Sequence, residues 1–204
     1  FILMGLPNGA AATVVDAVRK LGFGVEDKPG DEADVVSCPG TTTCRIGITN
    51  SQNFGQELAE LVRNYEAKPG VSVKISGCQN GCGLHHVSDF GFRGMGKKID
   101  GRNAPHYQIY VGGDPRNLGD IGISGPIVTA RHAPEALEIL MREYADNRKE
   151  GESIRQWSKR LGKEGLSEIL APVLEKATVD SENVYLDWGE REVYEPPAPA
   201  KSEC

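Results

Sequence analysis

Apolar positions along this chain switch between two spacings, and the switches mark its elements. Phe1-Ile2-Leu3-Met4-Gly5-Leu6 reads as a buried strand, closed by the turn signal Pro7-Asn8-Gly9. Val14, Val15, Val18 and Leu21 recur at helical spacing, with Gly22 at the stop. After the polar break Lys28–Glu32, Ala33–Ser37 forms a short strand that runs into Cys38, and Cys38 to Asn50 is a loop rich in Gly and Thr. Phe54, Leu58, Leu61, Val62 and Tyr65 make one helical stripe, capped by Asn50, Ser51 or Asn53 and ended by Lys68-Pro69-Gly70. Val71, Val73 and Ile75 then alternate with Ser72, Lys74 and Ser76, a half-buried strand that delivers the chain to Cys78. Val87–Arg93 and Tyr107–Val111 read as two more strands, the second closed by Gly112-Gly113-Asp114-Pro115.

The last third reads as helical. Pro134 suits the first turn of a helix bearing Leu137, Leu140, Met141 and Tyr144. Ser153 caps a short helix with Ile154, Trp157 and Leu161. Another follows Gly165 through Leu166, Ile169, Leu170, Val173 and Leu174, with Pro172 placed to kink it. From Gly189 the prolines Pro196, Pro197 and Pro199 predict a disordered tail. Strands and helices alternate throughout, so the class is α/β or α+β: a mixed sheet flanked by helices. Three parts are expected: 1–30, a β–α unit; 31–150, the body; and 151–204, C-terminal helices and tail.

Composition narrows the class. With 39% hydrophobic and 25% charged residues the chain is of ordinary globular type. No apolar run approaches the roughly 20 residues that span a bilayer, and the start lacks a secretory signal, so no membrane is expected and a cytoplasmic setting is. The net charge of −6 argues against a nucleic-acid partner. A chain opening on Phe1 in a buried strand reads as a piece whose upstream part lies elsewhere.

The cysteines change the picture most. Four of the five fall in two tight pairs, Cys38-Pro-Gly-Thr-Thr-Thr-Cys44 and Cys78-Gln-Asn-Gly-Cys82; the fifth, Cys204, ends the polar tail. A helix and a strand between the pairs return the chain to the same end of a sheet, so both can converge on one site. Four thiolates suit zinc or an iron–sulfur cluster. Five residues between Cys38 and Cys44 is loose for a zinc knuckle but natural around a larger cluster. The bland reading, buried structural cysteines, sits poorly with polar loops carrying Gly40, Gly47, Gly77, Gly81 and Gly83.

At these motifs the chain resembles the siroheme-containing nitrite and sulfite reductase family. The segments that carry the likeness are C-x5-C, then Ser76-Gly77-Cys78-Gln79-Asn80-Gly81-Cys82-Gly83, then Ser88-Asp89-Phe90-Gly91-Phe92-Arg93-Gly94 and the strand end Val111-Gly112-Gly113. Gln79 stands where the family often has proline. The resemblance implies a [4Fe-4S] cluster on Cys38, Cys44, Cys78 and Cys82. It also implies that Cys82 bridges the cluster to the siroheme iron, which makes it the catalytic cysteine. It implies six-electron reduction of nitrite to ammonia or sulfite to sulfide, by an assimilatory enzyme fed by ferredoxin or a similar donor. Residues 1–30 then look like the end of a ferredoxin-like half-domain and 31–150 like the cofactor-binding domain. The substrate-gripping first half would lie upstream, so this stretch alone is expected to bind a cluster but not to turn over. The shared motifs do not separate nitrite from sulfite. The alternative is an iron–sulfur electron-transfer module without siroheme.

Other residues become candidates in that frame. Asn80 could donate to cluster sulfur or the siroheme. His85 and His86, close behind Cys82, could supply protons or simply pack. Arg45, Arg93, Lys97, Lys98 and Arg102 could pair with siroheme carboxylates or stay solvated.

Overall fold

A computed structural model describes residues 5–7, 9–23, 34–65, 71–114, 120–176 and 182–196. The chain divides into two compact units, Phe1–Glu32 and Ala33–Cys204. In the first, α1 (Ala11–Lys20) carries the expected stripe of Val14, Val15 and Val18 and ends before Gly22, whose φ of 84° is beyond the helical region. The strand expected at its start falls mostly on Phe1–Met4, outside the described residues.

The second unit is built on a five-stranded mixed sheet in the order β1-β2-β3-β4-β5. β1 (Asp34–Ser37), β2 (Ser72–Ser76) and β3 (Phe90–Ile99) run parallel; β4 (Arg102–Val111) and β5 (Ile123–Thr129) continue antiparallel. The β1–β2 crossover is α2 (Ser51–Asn64), whose stripe buries Phe54, Leu58 and Val62. Phe54 anchors it, stacked on Tyr107 with ring centroids 4.3 Å apart and edge-on to Phe92 at 5.3 Å. Each such buried side chain contributes roughly 1.5–3 kcal/mol.

β2 is covered more completely than alternation predicts. Ser72 and Ser76 are buried along with Val73 and Ile75, because a strand with parallel neighbours on both sides is covered on both faces. β3 and β4 extend beyond the expected strands to meet at Asp100-Gly101, both with positive φ, a two-residue hairpin whose sequence signal was plain. β5 has no counterpart among the expected strands. Gly125 and Pro126 interrupt its pattern, and the sheet edge tolerates them.

α3 (Ala133–Asn147) buries Leu137, Leu140, Met141 and Tyr144, as its spacing predicts. Ser153 and Gln156 form a capping box at the start of α4 (Ile154–Ile169). The helix break lies at Gly162, with φ 64°, rather than at Gly165, and α5 (Ala171–Lys176) follows. Trp157, Leu166 and Val173 enter the same core as the sheet.

The disorder expected from Gly189 does not hold for residues 189–196. Leu186 bridges Val193, the Tyr194 N–H donates to the Tyr185 carbonyl at 2.7 Å, and Tyr194 is buried. Tertiary partners order a segment that local composition leaves free. Residues 197–204, with Cys204, are outside the described set.

Candidate functional site

Ser37 of β1 pairs with Ile75 of β2, so the carboxyl ends of these parallel strands lie side by side. Cys38 follows β1 directly, and Cys78 follows β2 after Gly77. The two cysteine loops then interlock through backbone. The Ile48 and Thr49 N–H groups both donate to the Gly77 carbonyl, at 2.9 and 3.0 Å, and the Cys38 N–H donates to the Ile75 carbonyl at 3.0 Å. A Cβ on Gly77 would come within 2.8 Å of Gly40 Cα and of the Thr49 oxygen. Glycine is needed because backbone meets backbone there.

The thiols occupy graded depths: Cys78 is buried, Cys38 and Cys44 are half-buried, and Cys82 is exposed. Cys38 Sγ accepts from the Gly77 N–H at 3.1 Å and lies 3.3 Å from Ser51 Oγ. Burial pushes the Cys78 thiol up, a hydrogen bond from the Asn80 backbone N–H pulls it down, and Cys38, Cys44 and Cys82 each push it up. All three other thiols therefore lie near enough to Cys78 to act on it electrostatically. Among the described residues no three His, Cys, Asp or Glu side chains are close enough to share one metal ion. Four cysteine thiolates suit an iron–sulfur cluster, whose irons would offset their negative charge.

Asn80 is exposed, and its backbone N–H serves Cys78. His85 is fully buried; its Nδ1 lies 2.7 Å from Ser76 Oγ, which also accepts from the Gly83 N–H at 3.0 Å. His86 stacks on it with centroids 3.7 Å apart, and both rings lie against Tyr110. Burial first, then His86 and Arg93, push His85 down to about 3; burial and Arg93 also lower His86. At neutral pH His85 is uncharged and has no imidazolium proton to give.

That placement has a pH consequence. An unfolded histidine gains a proton below about pH 6.5, while the buried His85 ring does not. The chain should therefore lose about 1 kcal/mol of stability through this group between pH 6.5 and 5, after allowance for solvent screening. Urea unfolding at pH 7 and pH 5 checks this. His85→Gln should lose less on acidification than the parent; an unchanged pH slope would count against it. His106, also lowered by burial, leaves a residual slope.

The basic candidates separate. Arg102 is engaged, both its terminal nitrogens donating to Glu182 at 2.8 Å and its guanidinium lying over Tyr185. Arg93 lies over Tyr110, 5.8 Å from the ring centroid, on the side of the sheet that carries the two histidines. Arg45, Lys97 and Lys98 are exposed.

Sequence reasoning missed the residues that brace the site. Asp187, 3% exposed, accepts from the Asn50 N–H at 2.7 Å and from the Trp188 N–H at 2.8 Å. Asn50 in turn caps α2, its side chain accepting from the Asn53 N–H at 3.2 Å. The segment 182–196 thus holds the exit of the first cysteine loop across a long sequence gap, with no local signal to announce it.

The family model described as the nitrite and sulphite reductase 4Fe-4S domain matches residues 31–179. A protein named sulfite reductase [ferredoxin] 1, from Mycolicibacterium paratuberculosis, is 23% identical over 81% of this chain and 31% of its own length. An assimilatory ferredoxin-dependent nitrite reductase from Haloferax mediterranei is 26% identical over 84% of this chain and 30% of its own. The solved structure of Mycobacterium tuberculosis NirA protein shares the fold, with a TM-score of 0.63, 21% identity, and coverage of 80% of this chain and 31% of that one. The chain thus spans about a third of the length of these relatives.

Proposed function

The chain belongs to the nitrite and sulphite reductase family, and on that premise we propose that it carries the [4Fe-4S] cluster and the axial thiolate of the siroheme iron in an assimilatory reductase. The cofactors are a [4Fe-4S] cluster and siroheme. The reaction is the six-electron reduction of nitrite to ammonia or of sulfite to sulfide, in the cytoplasm, with ferredoxin or a similar donor. Turnover belongs to the complete enzyme, because the chain covers only about a third of its relatives. Residues 1–30 are assigned to the end of a ferredoxin-like half-domain, 31–150 to the cofactor-binding domain and 151–204 to the C-terminal helices. Among the described residues, no helix is long and apolar enough to cross a membrane.

The observation that carries this reading is that the two cysteine loops are tied together by backbone at the carboxyl ends of β1 and β2, with Cys82 the exposed thiol. When bound, the cluster supplies electrons singly and the siroheme iron holds and reduces the anion. The protein's part is placement. Cys38, Cys44 and Cys78 would hold the cluster. Cys82 lies outermost, where its sulfur can serve a second cofactor, and Gly81 beside it has no side chain to obstruct a flat macrocycle. The Asn80 backbone N–H supports the Cys78 sulfur. An anionic Cys82 thiolate would hold the siroheme iron and make it more electron-rich.

Cys82→Ser in the complete enzyme tests the assignment. Magnetic exchange between cluster and siroheme should vanish or weaken strongly in Mössbauer and EPR spectra, and turnover should fall even where siroheme is retained. Intact exchange in that variant, with loss of exchange in a Cys38 variant that keeps both cofactors, would mean that another cysteine bridges. A parent enzyme with iron–sulfur absorption and no siroheme bands would favour the electron-transfer module instead.

A further inference from the structure

Ser51 sits at an unusual point in this arrangement. It is the first residue of α2 and is fully buried, yet the helix does not need its hydroxyl, because Asn50 provides the cap. The Ser51 hydroxyl points back at the first ligand instead, 2.8 Å from the Cys38 carbonyl oxygen and 3.3 Å from Cys38 Sγ. Two glycines leave room for it. A Cβ on Gly40 would lie 2.5 Å from Ser51 Oγ, and one on Gly77 would lie 3.0 Å away. The backbone just before it is pinned by the Asn50 N–H to Asp187. The Cys38 sulfur therefore meets a buried hydroxyl, the Gly77 N–H and the amino end of a 14-residue helix.

We propose that Ser51 is a positioning residue that sets the reduction potential of the cluster through a hydrogen bond to Cys38. The inference rests on the reading of Cys38 as a cluster ligand. In the bound state the hydroxyl hydrogen has two acceptors in reach, and the charged sulfur is favoured over the neutral carbonyl. Reduction adds one electron to the cluster, with no bond broken and no proton taken. Part of that added charge falls on the cysteine sulfurs, so a donor to Cys38 stabilises the reduced form more than the oxidised form and raises the potential. The α2 amino end acts in the same direction.

The test is an EPR-monitored potentiometric titration of the holoenzyme, with dithionite as reductant, for the parent, Ser51→Ala and Ser51→Thr. The Ala variant should be about tenfold harder to reduce, which is about 59 mV for a one-electron couple. The Thr variant keeps a hydroxyl and should stay near the parent. An Ala variant with a full iron and sulfide content and the parental potential overturns the proposal. Should Ala fail to load the cluster, Ser51→Gly, which also removes the hydroxyl, decides by the same reading. Loss of the cluster from both, with retention in Thr, would make Ser51 a structural residue and also overturn it. A parent without four acid-labile sulfides and the matching cluster iron per chain would instead break the reading of Cys38 as a ligand.

Discussion

Changing Cys78 to Ser is expected to abolish the cluster. Cys78 is the most deeply placed of the four thiols, and the other three act on it electrostatically. Cys78 also stands one residue beyond Gly77, whose carbonyl ties down Ile48 and Thr49 of the first loop. Loss of this ligand therefore removes a metal bond right beside the point where the second loop is tied to the first. Because ligands are gathered only in the folded chain, binding free energy of the cluster is also folding free energy. The variant should lose iron and acid-labile sulfide together and should unfold at lower urea than the parent. Cys38→Ser and Cys44→Ser should lose the cluster in the same way. A full complement of iron and sulfide in any of these variants would refute the ligand set.

Gly83→Ala should be nearly as damaging without touching a ligand. A Cβ there would be driven onto the Ile75 carbonyl oxygen, far inside van der Waals contact, and within 3.0 Å of Ser76 Oγ. The carbonyl cannot retreat, since it accepts from the Cys38 N–H at 3.0 Å. Neither can the turn, because the Gly83 N–H donates to Ser76 Oγ, which also meets His85. Relief requires lifting the Cys78–Gly83 turn off β2. Overpacking in well-packed sites costs about 1–3 kcal/mol, and two fixed backbones put this case at the upper end, about 3 kcal/mol. Urea titration of parent and variant measures it, and a difference under about 1 kcal/mol would show that the turn can yield. Cluster content should fall as well, although all four cysteines remain.

What could be read from sequence was what local spacing encodes. α2, α3 and α4 show their buried stripes at helical period, and Asn50, Pro134 and Ser153 mark their starts. The cysteine pairs stood out because liganding needs particular residue types close together in sequence. Asp100-Gly101 was equally local, and its hairpin was there to be found. The remainder depended on partners distant in the chain. Whether β2 is half-buried or fully buried is decided by the strands on either side of it, and β5 exists because β4 pairs with it despite Gly125 and Pro126. Residues 189–196 look free by composition but are held by Tyr185, which accepts from the Tyr194 N–H, and by Asn50, whose side chain donates to Glu190. Ser51 reads as one more helix-start serine until Gly40 and Gly77 bring the two loops together and turn its hydroxyl toward Cys38. Sequence spacing fixes which side chains can share a turn or a face. Which hydroxyl, carboxylate or ring finally meets a given sulfur depends on backbone segments far apart in the chain coming into contact.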